Sequence, residues 1–195
     1  MQKKELSHEE SLQVIQEMID MAKNKITETG FHFLLWGILI IATSLAQYML
    51  ITNGMTHVSY WVWAIMPIIG APVALIYEYR RGKKGKTRSK FDKMYGYLWM
   101  GFVITLIVSI FVSLSFGINP IAFILLLVGL ATFVSGALYR FAPLIFGSFV
   151  FWITAAICPQ TDVPNQLLIN AFAIFIGYII PGILLWKRYK ETKHV

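Results

Sequence analysis

The sequence predicts an all-α, polytopic integral membrane protein: six transmembrane helices arranged as three hairpins, preceded by a cytoplasmic amphipathic helix. Three observations predict it. Of 195 residues, 57% are hydrophobic and only 14% are charged, against about 25% charged in an average soluble domain. Six apolar stretches are each long enough to cross hydrocarbon, which takes about 20 helical residues. All 17 Lys and Arg residues lie in segments that those stretches place on one side. Basic segments resist translocation during insertion, so this partition puts both termini in the cytoplasm.

Residues 1–30 form the predicted cytoplasmic helix. Ser7 and Glu10 make a capping box, each side chain reaching the other's amide. Leu12, Ile15, Ile19, Ala22 and Ile26 then recur at spacings of three and four, which draws one apolar stripe along a helix ending near Thr29. Gly30 offers a break before the bilayer. The apolar run starts only at Phe31, behind an acidic amphipathic stretch, so this segment is expected to stay in the mature chain rather than be cleaved as a leader.

The transmembrane domain is predicted over residues 31–186, with spans at 31–51, 58–77, 95–116, 119–139, 141–157 and 166–186. Tyr60, Trp61 and Trp63 supply interfacial rings at the outer end of span two, and Pro67 and Pro72 are expected to bend it. Between spans two and three lie eight bases: Arg80, Arg81, Lys83, Lys84, Lys86, Arg88, Lys90 and Lys93. Arg140 marks the inner turn between spans four and five, and residues 187–195 form a basic tail. Similar residues open spans one and three, and Ala74-Leu75-Ile76-Tyr77, Ala137-Leu138-Tyr139 and Leu184-Leu185-Trp186 close spans two, four and six, as three parallel hairpins would explain, although interfacial aromatics and bases arise also from the belt rule.

Function is written less clearly. The net charge of +7 is accounted for by membrane flanks, so no nucleic acid is expected. Cys158 is the single cysteine, which excludes an intramolecular disulfide and a cysteine metal cluster. No Asp, Glu, Lys, Arg or His is placed in mid-membrane, and no catalytic, cofactor or metal signature is found. His32 and His57 sit at opposite ends of span one, roughly 35 to 40 Å apart along a helix, too far for one metal site.

Three surfaces remain as candidates. Gln47, Ser59, Ser113, Asp162 and Asn170 could line a shallow outward-facing polar pocket for a small molecule, or Gln47 and Asn170 could make interhelical hydrogen bonds. Arg80, Arg81, Lys83, Lys84, Lys86, Arg88 and Lys90 could contact lipid headgroups, anionic on the cytoplasmic side. The stripe of Leu12, Ile15, Ile19, Ala22 and Ile26 could lie on the membrane, pack beneath the bundle, or pair with a second protomer or another membrane protein. Small and hydroxyl residues on span three (Tyr97, Gly101, Thr105, Ser109, Ser113), span four (Gly129, Thr132, Ser135, Gly136) and span six (Ala173, Gly177) are expected to serve tight helix packing.

The order Glu10-Ser11-Leu12, Met18-Ile19 and Phe33-Leu34-Leu35-Trp36-Gly37 resembles a group of small six-span bacterial inner-membrane proteins of no assigned activity, over residues 9–37. The resemblance implies a bacterial inner membrane and carries over no functional residue. The expected function is non-enzymatic: association with protein or lipid partners through the cytoplasmic helix and basic loop. The alternative is a transporter or channel for a neutral or weakly polar small molecule.

Overall fold

The computed structural model describes residues 8–82 and 90–193, with side chains described over 30–80 and 95–188. These residues are helical apart from short turns. Six helices are long and apolar enough to cross a membrane: residues Gly30–Thr52, Thr56–Arg80, Tyr95–Ser115, Ile121–Leu138, Ala142–Gln160 and Val163–Arg188. The first belongs to α1 (His8–Thr52). Span two comprises α2 (Thr56–Ser59) and α3 (Trp61–Gly82), which continues through Pro67 and Pro72. Spans three, four and five are α4 (Lys90–Ser115), α5 (Ile121–Leu138) and α6 (Ala142–Ile157). Span six joins α7 (Val163–Ile174) to α8 (Ile180–Lys193) through a π-helical turn, Phe175–Ile179.

One expectation fails at the start of the membrane. Gly30 does not break the helix; α1 is continuous through it. Its small size serves packing instead, because a Cβ there would stand 3.3 Å from Leu185 Cβ on α8. A lone glycine costs a helix only about 1 kcal/mol, which close packing against α8 can offset.

Four spans form the core. Span one packs along span six, span six crosses span five, and span five pairs most extensively with span four. The strongest pairings therefore run between the expected hairpins rather than within them. Spans two and three are peripheral, with only 11% and 6% of their apolar windows buried, against 56% for span six. Span two leans on span one, and span three on span four.

Three helices end in the same way. At the ends of α1 and α4, Gly54 and Gly117 adopt φ of 78° and 66°. Gly54 N donates to Ile51 O and Met55 N to Leu50 O, while Gly117 N donates to Leu114 O and Ile118 N to Ser113 O. These paired bonds cap carbonyls that the last turn leaves unsatisfied, and the left-handed residue between them favours glycine. Nothing stands within 4 Å of a Cβ at either glycine, so conformation alone explains them. The third copy, after α5, has Arg140 N donating to Ala137 O and Phe141 N to Gly136 O, with Arg140 itself at φ 50°. An L-residue held there carries about 1 kcal/mol of strain.

Arg140→Gly is therefore expected to raise stability by about 1 kcal/mol, and Gly54→Ala or Gly117→Ala to lower it by a similar amount. Thermal unfolding in detergent reads both signs; a destabilised Arg140→Gly would show that the arginine side chain outweighs the strain.

Candidate functional site

Two buried amides of the described bundle join helices. Gln47 is 3% exposed, and its Oε1 accepts from Trp63 Nε1 of span two at 2.5 Å. Asn170, 4% exposed, donates through Nδ2 to Ser44 Oγ at 2.9 Å, tying span six to span one. Ser44 and Gln47 are three residues apart on α1, so both bridges meet on adjacent positions of one helix. Each is worth on the order of 0.6 kcal/mol in a membrane bundle.

The rest of the expected outer pocket is dispersed. Ser59 is buried and donates to Thr56 O of its own turn at 2.8 Å. Ser113 is buried on α4, whose close helix neighbour is α5. Asp162 is exposed before α7, where its Oδ1 accepts from Asn165 Nδ2 at 2.5 Å. The structure thus brings Gln47 and Asn170 to one level of α1, leaves Ser59 and Asp162 with local partners, and holds Ser113 apart on α4.

Small residues close the middle of the bundle. A Cβ on Gly147 would stand 2.9 Å from both Cα and O of Gly177, so spans five and six touch backbone to backbone. A Cβ on Gly177 would enter the Phe151 ring, one on Gly37 would meet Ile179 at 2.8 Å, and one on Gly129 would meet the Trp152 indole at 2.5 Å. Span three departs from the expected packing role. Tyr97, Gly101 and Thr105 are exposed, and nothing lies within 4 Å of a Cβ on Gly101. The reason is placement: among the described residues α4 packs along α5, reaching α1 through Trp99 against Phe33, and Thr105 Oγ1 satisfies itself on Gly101 O at 2.8 Å.

The π-helical turn is the feature that spacing alone did not reveal. It buries three consecutive residues, Gly177 against Phe151, Tyr178 against Phe33 and Phe151 with ring centroids 5.0 and 5.3 Å away, and Ile179 against Gly37. An α-helix turns consecutive side chains by about 100° each, so three in a row spread over about 200°. The wider turn draws them closer together, which suits a helix wedged between spans one and five. The Tyr178 hydroxyl faces Thr132, and Tyr95 Oη lies 3.3 Å from Ser135 Oγ. Thr132 and Ser135 also donate to Val128 O and Ala131 O, which keeps their hydroxyls satisfied within α5.

A groove lies at the end of the bundle where span one begins and span six ends, here the terminal face. A cavity of about 220 Å³ is lined by Phe31, Leu34, Tyr77 and Trp186, from spans one, two and six. Phe31 stacks on Tyr77 at 3.8 Å between centroids, and beside them His32 Nε2 lies 3.2 Å from Glu78 Oε1. Among the described residues, no three His, Cys, Asp or Glu side chains gather as a metal site.

Of the basic loop, Arg80 is exposed at the end of span two, Arg81 and Lys90 lie in helix with undescribed side chains, and Lys83, Lys84, Lys86 and Arg88 lie outside the described residues. Leu12, Ile15, Ile19, Ala22 and Ile26 fall in α1, where the backbone alone is described.

Fold and site together define an integral membrane protein with six candidate spans, in which two buried amides join helices. No family of known proteins, no curated protein and no solved structure matches the chain.

A double-mutant cycle of Ser44→Ala and Asn170→Leu should return a coupling of about 0.6 kcal/mol in thermal unfolding. In the same assay Gly177→Ala should cost about 1 to 3 kcal/mol by overpacking, whereas Gly101→Ala should leave the midpoint unchanged or raise it. Equal losses at the two glycines would refute the assignment of span five to span six as the close crossing.

Proposed function

We propose that this chain is a non-enzymatic protein of the bacterial cytoplasmic membrane, with both termini in the cytoplasm, that acts by association with protein or lipid partners. The observation that carries the reading is the continuity of α1. His8–Thr52 is one helix, and only Gly30–Thr52 is apolar enough to span. At 1.5 Å per residue, the 22 residues before Gly30 extend roughly 33 Å beyond the span. That arm is joined to span one without a hinge, and its sequence places Leu12, Ile15, Ile19, Ala22 and Ile26 on one stripe. A partner held there would act directly on the helix that contacts spans two and six. The basic segment between spans two and three flanks the same face and suits anionic headgroups.

A second reading, passage of a neutral or weakly polar small molecule, draws on the π-helical turn and the nearby hydroxyls of Thr132, Ser135 and Tyr178. Irregular turns of this kind recur at functional sites. The backbone contact of Gly147 with Gly177 weighs against a path between spans five and six.

Deleting residues 1–24 should remove copurifying proteins, or halve the mass of a detergent-solubilised oligomer, while the thermal midpoint of the spans stays the same. Unchanged partners and mass would sink the association reading. With Cys158→Ala as background, cysteines at Asn53 and Lys25 should react with an impermeant reagent from outside and inside respectively. Labelling of Thr132→Cys by a water-soluble maleimide from either side would favour passage instead.

A further inference from the structure

Span six loses its hydrogen-bond ladder at one level. Its π-helical turn covers Phe175–Ile179, and Ile180 N donates to Phe175 O, five residues back. A regular α-helix would send that amide to Ile176 O, four back. The next residue, Pro181, has no amide hydrogen, so it donates neither to Gly177 O, four back, nor to Ile176 O, five back. Ile176 O is therefore passed over by both residues that an α or π ladder would offer it. Pro181 is fully buried, which places the break inside protein, where non-helical backbone is tolerated at membrane depth. Helices bend most readily at prolines and at π turns, and span six has the two side by side.

The two halves of the span are held differently. Before the turn, α7 is fixed to span one by a buried hydrogen bond, Asn170 Nδ2 to Ser44 Oγ at 2.9 Å. At the turn, Gly177 meets Gly147 and Phe151 of span five. After it, α8 packs mainly on α1, where a Cβ on Gly182 would meet Leu34 at 2.9 Å and one on Gly30 would meet Leu185 at 3.3 Å. Apolar contacts of this kind permit small sliding of one helix on another, because no directional bond has to break. Two residues that line the groove at the terminal face stand on either side of this seam, Leu34 on α1 and Trp186 on α8.

We infer that span six is hinged at residues 176–181, with the contact of Gly177 on Gly147 as fulcrum, and that α8 swings against α1 to widen or narrow the groove through Trp186. The hinge goes beyond the association proposed above, since it is a property of the bundle itself and needs no partner.

The test uses the full chain labelled with 5-fluorotryptophan and read by fluorine NMR in detergent micelles. The Trp186 resonance, assigned by its loss in Trp186→Phe, should exchange between two environments on the μs–ms timescale of hinge motions. That of Trp152, whose Nε1 donates to Leu126 O at 3.3 Å, should stay single. Pro181→Ala supplies the missing amide and should collapse Trp186 to one environment. A single, non-exchanging Trp186 line in the native protein overturns the hinge, as does exchange that Pro181→Ala leaves unchanged or that Trp152 shares to the same extent. Should Pro181→Ala fold poorly, trifluoromethyl labels on Ile183→Cys and on Leu168→Cys, both exposed positions and each in a Cys158→Ala background, decide the matter. Exchange at Ile183 alone supports the hinge, and equal behaviour at the two positions overturns it.

Discussion

Close approach of helix backbones is the constraint on which this bundle depends. In lipid, apolar side chains gain nothing by leaving one hydrocarbon for another, so helices are held by contact at small residues and by a few hydrogen bonds. Span one supplies Gly30, Gly37 and Ser44 at intervals of seven, and these meet Leu185, Tyr178 with Ile179, and Asn170 on span six. As one chain ascends by seven residues the other descends by seven or eight, an antiparallel seam. A seven-residue repeat keeps one line of a helix facing its partner only with a slight left-handed supercoil. Gly129 and Gly136 repeat the interval on span four, where they receive Trp152 and Ile145 of span five.

The peripheral spans follow another rule. Each is fastened to the core at points rather than along a seam. Span two is held at the far face by Trp63 to Gln47, in the middle by Gly70 beneath Trp36 and Leu39, and at the terminal face by Phe31 on Tyr77 and His32 with Glu78. Span three is held near the terminal face, where Tyr95 meets Ser135 and Tyr139, and Trp99 meets Phe33. The remainder of span three exposes Ile104, Ile107, Phe111 and Leu114. Such surfaces suit lipid and cost nothing in a bilayer, so six apolar helices need not all be buried by one another.

Span existence was legible in the sequence because apolar length is dictated by bilayer thickness and needs no knowledge of neighbours. Which face of a span meets protein was not. The small residues of spans three and four look alike in sequence, yet Gly129 and Gly136 are buried while Gly101 is open. Both faces are apolar whether they touch lipid or protein, so periodicity carries little contrast inside a membrane. The amides fared better: Gln47 and Asn170 had to find partners, and both did. Their partners, Trp63 and Ser44, depended on tertiary register. The π-helical turn left no mark beyond Gly177, since its cause is the pair of helices on either side.

That turn and the unbroken α1 bear on each other. Gly37 of span one lies against Tyr178 and Ile179, within or at the end of the π turn, and the Phe33 ring of the same helix meets Tyr178. The helix before Gly30 runs without a break into this contact. There it meets the stretch of span six whose backbone already departs from α-helical bonding. Regular helix resists a change of register because every bond must move together, whereas a π turn can pass to α by shifting a single residue. The contact of Gly37 with Ile179 thus joins the continuous helix of span one to the irregular stretch of span six, which at Gly177 crosses Gly147 and Phe151.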